Sequence, residues 1–109
     1  MEAKAYAKNL ATQLRKGFLA YCALRVCSHG PCYTSDIIVQ LREAELVVVE
    51  GTIYPLLARL QKDGLLQYEW QESDQGPLRK YYSVTPFGAD VTAALGANIE
   101  ALNKTLKKL

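Results

Sequence analysis

Residues 51–64 read GTIYPLLARLQKDG. Ile53, Leu56, Leu57 and Leu60 recur at the 3.6-residue spacing of an amphipathic helix, so one stripe is built to face a core. The opposite stripe is not inert filler: it carries Tyr54, Pro55, Ala58 and Lys62, flanked by Thr52 and Arg59. Pro55 falls inside this pattern, where its ring and missing amide hydrogen would ordinarily break a helix. The conflict disappears if Thr52 is the N-cap. Pro55 then takes the third helical position, where the amide has no intrahelical acceptor to lose. Gly64 supplies the stop.

Immediately downstream the period drops from 3.6 to 2. In LLQYEWQE (65–72), Leu66, Tyr68 and Trp70 alternate with Gln67, Glu69 and Gln71, the pattern of a half-buried strand. SDQGPL (73–78) consists largely of turn formers, and RKYYSV (79–84) resumes alternation with Tyr82 and Val84 on one face. The two strands predict a β-hairpin. Thr85 then caps a final helix, with Pro86 in its first turn. Val91, Leu95, Leu102, Leu106 and Leu109 run along that helix as an apolar seam, with Ala94 and Ile99 beside it.

Upstream, Ala3, Tyr6, Leu10, Leu14 and Phe18 step by three and four residues, a seam suited to another helix. A first helix is expected from about Ala3 to Cys27, and Gly17 marks where it would bend or divide. FLAYCALRVC (18–27) is apolar nearly all round, as a core helix requires, and SHGP ends it. TSDIIVQLREA (34–44) reads as a second helix capped by Thr34 or Ser35, with Asp36 in its first turn and Ile37, Ile38 and Leu41 facing inward. LVVV (46–49) suits either a short strand or a buried turn between helices.

One hundred and nine residues bound a single domain. No apolar run approaches the roughly 18 residues of a membrane span, and MEAKAYAKNLATQLRKG lacks the apolar stretch of a signal peptide. A cytoplasmic protein with no membrane partner is expected. A net charge of +2 leaves the placement of charge to decide whether nucleic acid is a partner. Cys22, Cys27 and Cys32 are odd in number and form no close-spaced ligand pair with His29, so neither a disulfide scaffold nor a metal site is expected. No cofactor motif is present either. His29 is the sole histidine and has no evident carboxylate partner or nucleophile, which argues against an enzyme.

Three helices followed by a two-stranded hairpin predict an α+β, mainly α chain of winged helix-turn-helix architecture. Residues 1–86 would form the winged-helix domain with its N-terminal helix, and residues 87–109 a dimerisation helix. The outward residues of the third helix suit double-stranded DNA. Arg59 and Lys62 supply phosphate or guanine contacts, Thr52 and Tyr54 supply hydroxyls, and Ala58 admits a thymine methyl. A solvated helix face with a stray tyrosine is the alternative on residue types alone. Arg79 and Lys80 leave the hairpin turn together and suit backbone phosphates, although two charges deterring edge aggregation would read the same way. Lys4, Lys8, Arg15 and Lys16 are read as solubilising the first helix. Apolar seams on both terminal helices of so short a chain imply a second subunit, through Tyr6, Leu10, Leu14, Val91, Leu95, Ile99, Leu102 and Leu106.

EGTIYPLLARLQKDGLLQYEW followed by GPLRKYYSVTPFG resembles the PadR family of bacterial transcriptional regulators. The resemblance covers about Leu14 to Gly88 and agrees in order, spacing and residue type. It implies a winged-helix homodimer on a palindromic operator, usually a repressor. Thr52, Tyr54, Pro55 and Arg59 would then lie in the recognition helix and Arg79 and Lys80 in the wing. The single helix after Gly88 resembles the smaller subgroup of that family. Some of its members stack flat aromatic drugs on a tryptophan of the last helix, but no aromatic residue follows Phe87 here, and Ile99 stands near the corresponding place. A stacked planar effector is therefore not expected. A small-molecule effector near Tyr6, Ala94 and Ile99 is left open. The rival to a DNA-binding regulator is a winged-helix protein-interaction module.

Overall fold

The computed structural model describes residues 2–74 and 76–109; Gln75, which the sequence assigns to the hairpin turn, lies outside the described residues. The elements follow in the order α1 (Ala3–Ser28), β1 (Cys32–Tyr33), α2 (Thr34–Glu43), α3 (Glu50–Lys62), β2 (Leu66–Ser73), β3 (Gly76–Val84) and α4 (Pro86–Lys108). The expected winged helix-turn-helix is present. Its core is one cluster: Leu19, Ala23, Leu24 and Cys27 of α1, Ile37, Ile38 and Leu41 of α2, and Ile53, Leu56, Leu57 and Leu60 of α3. Leu66 and Tyr82 close it from the sheet. Each large aliphatic side chain removed from water there contributes about 1.5–3 kcal/mol.

Several local expectations need correction. α1 is one unbroken helix through Gly17, whose Cβ position meets nothing within 4 Å. The glycine penalty of about 1 kcal/mol is spread over a 26-residue helix and does not divide it. The hairpin gains a third strand, because β1 pairs antiparallel with β3 through Cys32–Tyr82 and Tyr33–Tyr81. Two residues are too few to leave a periodic signal. Pairing at Tyr33 carries the chain directly from strand into helix, so Tyr33 is the N-cap of α2 and Thr34 its first helical residue; neither Thr34 nor Ser35 caps it.

LVVV forms no strand. α2 ends with Glu45 in the left-handed region, at φ 66°, and two closing bonds run from Glu45 N to Arg42 O (2.9 Å) and Leu46 N to Leu41 O (2.9 Å). The next carbonyls are then claimed by guanidinium groups. Arg15 donates to Val47 O, and Arg42 Nη2 donates to Val48 O at 3.2 Å. The Val48 carbonyl is part-buried and needs a partner, the Val47 carbonyl is exposed, and two arginines supply here what a neighbouring strand would have supplied. Arg15 is thus a structural tie between α1 and the approach to α3, not merely a solubilising charge.

The capping explanation for Pro55 fails. α3 begins at Glu50 with Val49 as its N-cap, three residues ahead of Thr52, and Thr52 N and Ile53 N both donate to Val49 O (3.0 and 3.1 Å). Val49 enters in an extended conformation, and Glu50 complements the positive end of the helix. Pro55 is therefore a sixth helical residue, and the carbonyl it leaves without an amide is that of exposed Gly51. Water satisfies such a group, so the proline costs one exposed bond and not a buried one. Gly64, at φ 83°, ends α3 as expected, through Gly64 N to Gln61 O (3.1 Å) and Leu65 N to Leu60 O (2.9 Å).

One junction ties the wing to α4. Thr85 accepts from Gly88 N at 2.9 Å, which is the predicted cap. It also donates to Gly64 O at 2.6 Å, and its own amide donates to Leu65 O at 3.0 Å. The end of α3, the ends of both long strands and the start of α4 therefore meet at one hydroxyl.

Candidate nucleic-acid interface

On α3 the two stripes separate as expected. Ile53, Leu56, Leu57 and Leu60 are buried, while Thr52, Tyr54, Pro55, Ala58, Arg59 and Lys62 are exposed. Ile53 and Leu57 have no exposed area at all, so the outward side chains stand on a helix whose rotation about its axis is fixed by packing. Arg59 and Lys62 fall in its last turn, where they also complement the negative end of the helix.

The hairpin has two chemically different faces, a division that adjacency in sequence concealed. Leu66–Val84, Tyr68–Tyr82 and Trp70–Lys80 are register partners and share the face that closes the core. Glu69–Tyr81 and Gln71–Arg79 share the other face. Arg79 and Lys80 thus project from opposite sides of β3. Lys80 Nζ lies 3.9 Å from the ring centre of Tyr68, 5.3 Å from Tyr82 and 6.0 Å from Trp70. Arg79 lies over the Tyr33 ring at 4.6 Å, and Tyr33 in turn packs on Tyr81 at 5.5 Å. A cleft of about 300 Å³ near the hairpin tip gathers Glu72, Asp74, Arg79 and Tyr81. Tyr68 and Trp70, whose alternation with Gln67, Glu69 and Gln71 predicts a half-buried strand face, stand beside Lys80 and stay open: Trp70 is 57% exposed.

The terminal helices leave long apolar rows uncovered. Tyr6, Leu10, Leu14 and Phe18 on α1, and Leu102, Leu106 and Leu109 on α4, are all exposed. Every described residue from Glu2 to Phe18 is exposed, so apart from the Arg15 bond to Val47 this half of α1 is largely uncovered within the chain. Val91, Leu95 and Ile99 are half-buried already within one chain. Gly96 allows α4 to approach α1, since a Cβ there would lie 2.8 Å from the Tyr21 hydroxyl. Ile99 lines a groove with Tyr21, Arg25, Gly96 and Glu100. Tyr6 and Ala94 do not line it, so the groove does not gather the Tyr6–Ala94–Ile99 grouping left open for an effector. The Cys27 thiol is pushed up to about 12 by burial, reinforced by neighbouring Cys32. Burial also raises Cys22 and Cys32. No helix among the described residues is long and apolar enough to cross a membrane.

Residues 23–94 match the model of the transcriptional regulator PadR-like family. A PadR-like transcription factor from Bacteroides fragilis is 51% identical, with 92% of this chain and 97% of that one covered and a TM-score of 0.79. A PadR-like transcriptional regulator from Bacillus cereus is 31% identical over 88% of this chain and 94% of its own, with a TM-score of 0.78. A PadR family transcriptional regulator from Eggerthella lenta is 29% identical over 97% and 96%, with a TM-score of 0.83. No protein of curated function matches the sequence significantly.

Proposed function

This chain belongs to the PadR-like family of transcriptional regulators, and from that premise we propose that it is a sequence-specific repressor acting as a homodimer on a palindromic operator. The observation that carries the reading is α3. An exposed row of Thr52, Tyr54, Pro55, Arg59 and Lys62 is backed by four buried aliphatic residues, so its donors and cations are held in a fixed orientation. A helix so presented fits the major groove, and a basic wing beside it reaches the flanking backbone. An interaction module would have no need of this particular combination.

The dimer is supported by the exposed rows on α1 and α4. A largely uncovered helical half and an exposed leucine row bury each other if the last turns of α4 lie along the first turns of a second copy's α1. Tyr6, Leu10 and Leu14 then meet Leu102 and Leu106. Two-fold symmetry sets the two recognition helices about 34 Å apart, one turn of DNA, and so demands a palindrome. Repression follows when such a dimer occupies promoter DNA, and the work is done in the bacterial cytoplasm.

Fluorescence anisotropy with labelled duplex from the chain's own upstream region tests this. Specific duplex should bind at least a thousandfold more tightly than random duplex, with affinity falling steeply between about 50 and 200 mM salt. Equal affinity for both duplexes would defeat the sequence-specific reading.

A further inference from the structure

The wing carries two cations on opposite faces, and only one face is chemically suited to DNA. On the Arg79 face, Glu72 and Asp74 line the same cleft as the guanidinium, Glu69 stands on the same side, and the cation is spread over Tyr33. A phosphate approaching that side meets three carboxylates before it gains one cation. The Lys80 face has the reverse character. Its register partners from the core outward are Leu66, Tyr68 and Trp70, with no carboxylate among them, and the ammonium sits against the three rings. Beyond the core this face stays open: Tyr68 is 41% and Trp70 57% exposed. It is also the sheet face against which the helical core, α3 included, is packed.

We propose that the wing meets DNA through the Tyr68–Trp70–Lys80 face alone. Lys80 donates to a backbone phosphate, while the exposed rings of Trp70 and Tyr68 pack on the adjoining deoxyribose surfaces. The sugar–phosphate strand sets an anion beside an apolar ring, and this face sets a cation beside apolar rings. Stacking on Tyr68 restricts the lysine before any ligand arrives, so less rotamer freedom is lost on contact. Arg79 has a different task. By covering Tyr33 it positions the short edge strand β1 against β3. The proposal rests on the DNA-binding reading and divides its two wing cations between contact and support.

Trp70 is the only tryptophan of the chain, so its emission reports this face directly. In the full-length protein, titration with the upstream duplex should change Trp70 emission with the same midpoint as the anisotropy of labelled duplex. Lys80→Gln should reduce the salt slope by about 1 per subunit, one phosphate contact each. Trp70→Ala should weaken binding severalfold with the slope unchanged. Arg79→Gln should leave the slope unchanged while lowering the melting temperature. DNA that binds by anisotropy without altering Trp70 emission would overturn the proposal. So would a slope that responds to Arg79→Gln and not to Lys80→Gln. Wild-type protein with no preference among duplexes, but with Trp70 emission and a Lys80-dependent slope intact, would defeat the operator reading and leave the wing contact standing. No binding to any duplex would defeat both.

Discussion

Replacing Gly88 by alanine should cost far more than its single methyl group suggests. A Cβ at this position would lie 2.0 Å from the Leu65 carbonyl oxygen and 2.9 Å from its carbon, with Val84 Cγ1 at 3.0 Å. The first two atoms are main chain and cannot rotate away, so α4 and the turn after α3 must separate by more than 1 Å. That movement breaks the Thr85 bonds to the Gly64 and Leu65 carbonyls, worth about 1 kcal/mol each. Forced displacement in a packed junction adds about 1–3 kcal/mol. The sum is a loss of about 3–5 kcal/mol, and at about 4 °C per kcal/mol for a chain of this size the melting temperature falls by about 12 °C or more. Circular dichroism melts at one fixed protein concentration measure it, since the proposed dimer would couple stability to concentration. Gly51→Ala is the control. Its Cβ meets nothing within 4 Å, and alanine in a helix should gain about 0.5 kcal/mol. A Gly88→Ala loss below about 1 kcal/mol would refute the reasoning.

Thr52→Ala and Thr85→Ala separate two threonines that the sequence reading treats alike. The first should change stability by under about 0.5 kcal/mol, because Thr52 caps nothing, while the second should cost about 1–2 kcal/mol in urea unfolding. Replacing Leu102 and Leu106 by Glu should yield a folded monomer in sedimentation velocity, and a persistent dimer would remove α4 from the interface. Alkaline stability should report Cys27. Its thiol stays protonated when folded, up to about 12, while the unfolded thiol ionises near its ordinary value of 9. The unfolded state then holds fewer protons, so the group's contribution is intact below about pH 9 and is lost as pH rises toward 12. The slope is at most about 1.4 kcal/mol per pH unit. Urea midpoints between about pH 8.5 and 10 should fall less steeply for Cys27→Ala than for the wild type.

Where burial and period coincide, the sequence was sufficient. The α3 stripes, the hairpin and the Thr85 cap are all local patterns that packing merely fixed in place. What stayed hidden depends on atoms from distant parts of the chain. β1 exists because Tyr81 and Tyr82 offer it an edge, and LVVV stays irregular because Arg15, more than thirty residues upstream, claims a carbonyl there. The two faces of the wing were hidden for a simpler reason. Arg79 and Lys80 adjoin in sequence, and on a strand adjacency means opposite faces. The start of α3 was misplaced because threonine is a better capping residue than valine in isolation. The extended approach after Glu45 leaves Val49 at the helix boundary regardless.

The arginine grip on the turn before α3 has a consequence for how the chain tolerates change. Arg15 and Arg42 hold the carbonyls of Val47 and Val48, atoms that every residue type possesses. The approach to α3 is therefore fixed by main chain, and the side chains along it are largely free. Val47 and Val49 are exposed, and only Val48 enters the core. Polar residues at 47 and 49 should be accepted without shifting α3. The two arginines, outside α3 themselves, are the positions at which drift would misalign it.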